Sequence, residues 1–329
     1  MKNSKKVSII IPCYNAETYL EETLQSVEKQ TCDNIEVILI DDGSKDRTYE
    51  ILANYKEKSL REVIVIRQEN KGVSKARNTG ITNATGEYIC FLDGDDIISP
   101  FFIEKLIQNC NKETYVSTYY SRNLVEVISL KEENIKIKKL EYQEGIDYIM
   151  LRKRNINFWG AIFSREILQE YDIKFPEDLI IGEDNVFMWN YLSHMKDFIL
   201  IDAPLYGYRL VPTSASFQKT ERVKDAILGI KYSIDYTNKK SDYLNKKLKS
   251  FMLARTKLAV AKYFVQQNNI NSLNNFRKQE WKIKDFTSIL REPCGTTIKI
   301  AAFLVTITPK IFYYILIKNK GNYKDVNKN

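Results

Sequence analysis

The sequence predicts an α/β fold, with a mostly parallel sheet flanked by helices and a helical C-terminal extension. Three observations carry this. Short apolar runs, rich in Val and Ile in the first three, recur at residues 7–11, 35–40, 63–66 and 87–92. Segments with apolar residues at helical spacing lie between them. After Ser216 the texture changes to long helical patterns with few Gly or Pro. Strands that are apolar on both faces belong in a parallel sheet covered on both sides. In such sheets ligands sit at the carboxyl ends of the strands.

In order, the strand at 7–11 is followed by a helix over 16–30, with Tyr19, Leu20, Leu24 and Val27 on one face. The strand at 35–40 leads to a helix over 47–58, and the strand at 63–66 to a helix over 73–84. Residues 115–119 and 124–130 read as further β pieces before a lysine-rich stretch at 131–139. From Phe158 a strand–helix pattern returns and ends in β runs at 198–201 and 205–210. Helical patterns then fill 222–267, Asn-rich punctuation marks 268–275, and an apolar stretch spans 298–317.

The chain has 329 residues, enough for two domains, and is 44% hydrophobic, which excludes a disordered or collagen-like chain. Residues 219–329 hold 23 Lys and Arg against 8 Asp and Glu, a net +15, whereas residues 1–218 are net negative. That asymmetry divides the chain into an acidic domain, 1–218, and a basic, mainly helical region, 219–329. Cys13, Cys32, Cys90, Cys110 and Cys294 form no Cys-x-x-Cys pair, against both a disulfide scaffold and a structural zinc site. The opening apolar run at 7–12 is too short for a signal sequence, so a cytoplasmic location is expected.

Four clusters carry chemistry. Asp41-Asp42-Gly43-Ser44 follows the second strand and suits a ligand rich in hydroxyl or N–H donors, although Ser44 and Asp46 also serve as helix caps. Asp93-Gly94-Asp95-Asp96 follows the fourth strand. Three carboxylates so close repel one another unless a cation sits among them, and oxygen ligands alone select Mg²⁺ or Mn²⁺. Residues 70–80 offer N–H groups and the cations Lys71 and Arg77 to an anion, without the Gly-Lys-Ser/Thr of a P-loop. Gly182-Glu183-Asp184 opens a helix. Its acids either complement the helix dipole or supply a carboxylate base.

As an ordered set, VSIIIPCYNAETYLEETLQSV, IDDGSKDRT, NKGVSKARNTGI, GEYICFLDGDD, then GED and YGYR with Ser214 and Ser216 beyond, resembles family 2 glycosyltransferases of the GT-A fold. The resemblance covers residues 7–217 and implies an inverting transfer of sugar from a nucleotide-sugar, a UDP-sugar, to a hydroxyl of a glycan or lipid-linked glycan. It implies that Pro12, Tyr14 and Asp42 hold the nucleotide base and that Arg77 and Gly94 line its pocket. Asp93 then lies near the ribose, with Asp95 and Asp93 as ligands of Mn²⁺ or Mg²⁺. Arg209 is implied to face the diphosphate and Asp184 to be the catalytic base, in cell-surface polysaccharide synthesis.

A sugar nucleotidyltransferase would show a glycine-rich, basic loop after the first strand, where this chain has Pro12-Cys13-Tyr14-Asn15. A catalytically silent glycan-binding or scaffold subunit would lack the metal carboxylates or the base. His194 reads as structural, and Trp159 and Gly160 either border the acceptor or pack. Pro309 and Lys310 interrupt the 298–317 stretch, which suits a segment lying in an anionic membrane interface better than one spanning it. The other reading is a core helix packed against its neighbours or a second subunit. A peripheral position at the cytoplasmic face of the membrane is therefore expected, with no nucleic-acid partner.

Overall fold

The computed structural model describes residues 5–154, 156–211, 221–267 and 269–307. Two compact units result, one of Met1–Asp178 and Glu183–Gln218, the other of Leu179–Gly182 and Lys219–Asn329. The boundary at 218/219, Ser214, Ser216, Pro309 and Lys310 lie outside the described residues.

The first unit opens with β1 (Val7–Cys13), α1 (Leu20–Glu28), β2 (Ile35–Asp41), α2 (Thr48–Lys58), β3 (Glu62–Arg67), α3 (Val73–Asn83) and β4 (Tyr88–Phe91). Then come β5 (Ile97–Ile98), α4 (Phe102–Asn109), β6 (Thr114–Ser121), α5 (Leu124–Ile128), β7 (Lys136–Glu141) and α6 (Tyr142–Met150). A 3₁₀ turn (Phe158–Gly160), β8 (Ala161–Ser164), α7 (Arg165–Glu170), α8 (Glu183–Leu192) and β9 (Asp197–Gly207) complete it. Among the described residues the strands form one sheet in the order β3-β2-β1-β4-β8-β6-β9-β5, with β7 also paired to β9.

Strands β3, β2, β1 and β4 run parallel, with Ile9 beside Val37 on one side and Cys90 on the other. The side chains of β2 and β4 are buried throughout, and each fully buried Val or Ile contributes ~1.5–3 kcal/mol. Strand β8 enters antiparallel between β4 and β6, and β9 lies parallel to β6. Because β1, β2 and β4 are adjacent and parallel, the loops that leave them emerge side by side.

Two local expectations change. Residues 124–128 form α5, not a strand, because the Asn123 side chain accepts a hydrogen bond from the Glu126 N–H and caps a helix. The runs at 198–201 and 205–210 belong largely to the single strand β9, whose register shifts against β6 between Thr118 and Tyr120. That irregularity absorbs Pro204, which has no N–H for the ladder.

The second unit contains α9 (Asp225–Thr237), α10 (Asp242–Lys247), a π turn (Leu248–Met252), α11 (Leu253–Gln266), α12 (Ile270–Gln279), α13 (Ile283–Arg291) and α14 (Thr296–Ile307). Of the Asn-rich stretch, Asn269 caps α12 while Asn271, Asn274 and Asn275 lie within it. Leu258 and Phe264 of α11, Phe276 of α12, Ile289 of α13 and Val305 of α14 share one apolar core. Lys257 and Asp285 form a buried pair there at 3.2 Å, and Lys257 also donates to the Glu280 carbonyl at 2.6 Å. No helix among the described residues is long and apolar enough to cross a membrane.

Candidate active site

The first three clusters seen in the sequence meet at the carboxyl ends of β1, β2 and β4. Pro12 lies in β1 beside Ile40, and Tyr14, just beyond, is 49% exposed. The loops after β1 and β2 are stitched together: the Asn15 N–H donates to Ser44 Oγ, and the Ala16 N–H to Thr48 Oγ1. Ser44 therefore ties one loop to another, while Asp46 does both jobs, accepting from the Glu17 N–H at 3.2 Å and from the Thr48 N–H that opens α2 at 3.0 Å.

Buried Asp42 accepts from Gln68 Nε2 at 2.7 Å and the Lys71 N–H at 3.0 Å through Oδ1, and from the Gly72 N–H at 2.8 Å through Oδ2. This approach of the loop before α3 requires Gly43, which has φ 75°. A Cβ there would stand 2.8 Å from the Asn70 nitrogen. A carboxylate oxygen with one bond retains acceptor capacity, so Oδ2 can still receive an N–H from a ligand.

The sequence lets the three carboxylates after β4 share one cation, but in the structure they part company. Asp93 takes a 2.8 Å bond from Arg77. Asp96, wholly buried, accepts from the Tyr206 hydroxyl at 2.8 Å and the Arg209 N–H at 2.7 Å. Asp95 has no ion-pair partner among the described residues, and burial together with Asp93 pushes its carboxyl up to about 6. Burial, Asp93 and Asp95 push Asp96 higher still. Gly94 packs over the end of β1, where a Cβ would lie 3.3 Å from the Pro12 carbonyl oxygen.

Arg77 joins this loop to the fourth cluster. The guanidinium is buried, stacks 4.7 Å from Phe158 and 5.2 Å from Phe175, and reaches Glu183 at 3.5 Å on its other side. Two aromatic faces and two carboxylates fix it. Glu183 is raised by burial and by Asp184, against the lowering effect of Arg77. Asp184 is raised by burial, although Asn185 and Arg77 oppose the shift. Both hydrogen bonds to Asp184, from the Asn185 N–H at 2.7 Å and Nδ2 at 2.8 Å, fall on Oδ1. Oδ2 thus faces no donor among the described residues.

Arg209 sits at the same acidic loop, donating through Nε to the Asp95 carbonyl at 2.9 Å. Its guanidinium also holds Glu22 at 2.6 Å and lies over the Tyr19 ring, so it is engaged with α1. His194 stacks on Tyr171 at 3.7 Å. Cys13, Cys90 and Cys110 are buried free thiols.

Among the described residues no three His, Cys, Asp or Glu side chains form a ready metal shell. The donors at hand nevertheless suit a hard cation: Asp95 and Asp93 offer only oxygen, and Asp95 is a crowded, partly buried carboxylate without a protein cation of its own. Sequence reasoning did not single out Tyr206, whose hydroxyl also accepts from the Asp93 N–H at 3.2 Å, or Phe158 and Phe175 beneath Arg77. Only the YGYR segment hinted at the first, and the phenylalanines look like ordinary core.

The chain is 33% identical over 225 residues to the uncharacterized glycosyltransferase EpsJ of Bacillus subtilis, covering 63% of this chain and 62% of that protein. It is 29% identical over 212 residues to the poly(ribitol-phosphate) beta-N-acetylglucosaminyltransferase TarS of Staphylococcus aureus, covering 61% of this chain and 35% of TarS. These alignments span less than two thirds of either relative. A crystal structure of TarS residues 1–349 with UDP-GlcNAc superposes with a TM-score of 0.69 at 19% identity, covering 96% of this chain and 92% of that one. The mannosyltransferase PcManGT of Pyrobaculum calidifontis, with GDP-Man and Mn²⁺, gives 0.55 at 17% identity, covering 93% and 88%. These likenesses establish the GT-A fold. Residues 8–172 match the family described as glycosyl transferase family 2, and the chain belongs to that family.

Proposed function

We propose that this protein transfers a sugar from a UDP-sugar to a hydroxyl of a glycan or lipid-linked glycan, inverting the anomeric centre, in the synthesis of a cell-surface polysaccharide. The observation that carries the reading is the Arg77 bridge. It ties the Asp93 carboxylate at the end of β4 to Glu183 beside Asp184, so that metal-type and base-type carboxylates share one site. The UDP-GlcNAc held by TarS and the GDP-Man and Mn²⁺ held by PcManGT support a nucleotide-sugar donor.

In this reading Tyr14 offers a flat face to the base beside Pro12, and Asp42 accepts one of its N–H groups. Arg77 and Gly94 line the pocket and Asp93 lies towards the ribose. Asp95 and Asp93 would hold Mn²⁺ or Mg²⁺, which supplies positive charge to a departing diphosphate. Arg209 reaches that diphosphate by exchanging Glu22 for it. Asp184 takes the acceptor hydroxyl proton at Oδ2 while the oxygen attacks from the face opposite the nucleotide. Release of UDP from UDP-Glc, UDP-Gal and UDP-GlcNAc tests this. Turnover with Mn²⁺ or Mg²⁺ that EDTA and Asp95→Ala abolish is the expected result. No UDP release from any donor overturns the transfer, and full turnover in EDTA overturns the metal.

The reading places the chain at the cytoplasmic face of an anionic membrane. Residues 219–329 carry +15, and α14 buries Ala302 and Val305 while exposing Ile300, Phe303 and Ile307. A basic segment with an apolar face suits a lipid surface. Flotation with phosphatidylglycerol vesicles, lost at high salt and on truncation before α14, is expected. Flotation unaffected by either would remove this region as the anchor.

A further inference from the structure

Four aromatic rings stand where β6, β9 and the 3₁₀ turn converge. Trp159 stacks on Tyr206 at 4.1 Å, with 28° between the planes, and lies parallel to Tyr208 at 5.8 Å. Tyr120 closes the group, 4.9 Å from Trp159 and 5.4 Å from Tyr208. The inner pair, Trp159 and Tyr206, is buried, whereas Tyr120 and Tyr208 are partly exposed. Rigid rings therefore back two tyrosines that reach solvent.

This stack is wired to the acidic loop. Tyr206 donates to Asp96 and accepts from the Asp93 N–H, and the residue after Tyr208 donates its own N–H to Asp96. It is also wired to the helix that opens with Asp184: Phe158, next to Trp159, contacts Phe187 of α8 at 6.3 Å. Tyr14, by contrast, leaves the sheet at β1. In the strand order the acidic loop after β4 separates β1 from β6 and β9. The site thus has two aromatic surfaces, one on each side of its carboxylates.

We propose that Tyr120 and Tyr208, backed by Trp159, form the platform on which the acceptor's pyranose ring stacks. This rests on the transfer reading above. A pyranose presents a face of C–H bonds that suits the negative face of an aromatic ring. The second surface adjoins the helix of the proposed base, where an acceptor hydroxyl must lie, and Tyr14 already serves the nucleotide side.

Saturation-transfer NMR with methyl β-glucoside, methyl β-galactoside and methyl N-acetyl-β-glucosaminide, in the presence of UDP and diamagnetic Mg²⁺, tests the platform. Ring protons of at least one glycoside should be saturated by the wild type. The signal should fall about fivefold or more in Tyr208→Ala and Tyr120→Ala and persist in Tyr208→Phe, with UDP affinity unchanged. Thermal melting checks that each variant folds, and the two alanine variants stand in for one another if one does not. No saturation of any glycoside, or wild-type saturation in a folded alanine variant, overturns the proposal. Equal loss of UDP and glycoside binding overturns it by assigning the rings to the donor. Separate UDP binding and donor hydrolysis keep the transfer reading distinct: if both are absent while a glycoside still stacks, that reading fails and the sugar platform stands.

Discussion

The two ends of one sheet treat buried carboxylates in opposite ways. At the amino end, Glu36 in β2 is buried, and burial alone would raise its pKa. Ser8, the hydroxyl and N–H of Thr85, and Lys6 outweigh burial and hold it down to about 2, and the Gly86 N–H adds a further bond. At the carboxyl end, Asp95, Asp96, Glu183 and Asp184 are all raised, because burial and mutual repulsion exceed what Arg77, Arg209 and Asn185 return. Glu36 is a finished structural joint, with its acceptor positions filled from two segments, the start of β1 and the turn before β4. The other end leaves acceptor capacity open, and unfinished carboxylates of this kind mark a place where a ligand completes the electrostatics.

Asp184→Asn breaks the comparison most sharply. It should cut kcat by ~10²–10⁴-fold, the scale of general-base assistance, while UDP binding measured by calorimetry is retained. Stability should hold or improve, since an amide replaces a desolvated charge. Normal turnover in this variant would assign the base to another residue.

The satisfied end should behave in reverse. Glu36→Gln leaves Ser8, Thr85 and Gly86 facing a neutral amide while Lys6 keeps Glu62. It should cost roughly 2 kcal/mol in urea unfolding, the scale of hydrogen bonds to a charged group, with UDP release per folded molecule near wild type. An unchanged midpoint would show that the joint contributes little.

The same group sets an acid limit. Its folded pKa of about 2 lies below its ordinary 4.5, so its contribution is complete above pH 4.5 and is lost as pH falls through about 2. Wild-type stability should therefore decline over that window, and the Glu36→Gln variant should show a shallower decline. Parallel curves would place the acid sensitivity elsewhere.

A smaller effect sharpens the picture at the carboxyl end. Arg77 lowers the proton affinity of both Glu183 and Asp184, so Arg77→Gln should move the acid limb of the kcat profile upward by about one pH unit. The base then keeps its proton to higher pH and the rate at pH 7 falls. An unmoved limb with a lower plateau would limit Arg77 to positioning Asp93.

Periodicity and composition determine a good deal here without tertiary information. The runs that become β1, β2 and β4 are apolar on both faces, so they have no stable place except inside a covered parallel sheet, and the motifs necessarily follow them at its carboxyl edge. The elements that depend on one local contact were less legible. Residues 124–128 are rich in Leu, Val and Ile like a strand, and the Asn123 cap makes them α5. The two runs at 198–210 look separate until β6 supplies the irregular register that joins them across Pro204.

At the site, the sequence supplied residue types and only the tertiary structure decided partnerships. Arg77 is one basic residue among several until folding inserts it between Asp93, Glu183 and two phenylalanines. The three carboxylates after β4 read as equivalent, yet Asp93 turns to Arg77, Asp96 to Tyr206, and Asp95 is left over. Arg209 turns to Glu22, which is 187 positions away in the chain. Local sequence governs backbone conformation through nearby sterics and hydrogen bonds. Which charges meet, and which go unmet, depends on distances that exist only after remote strands have paired.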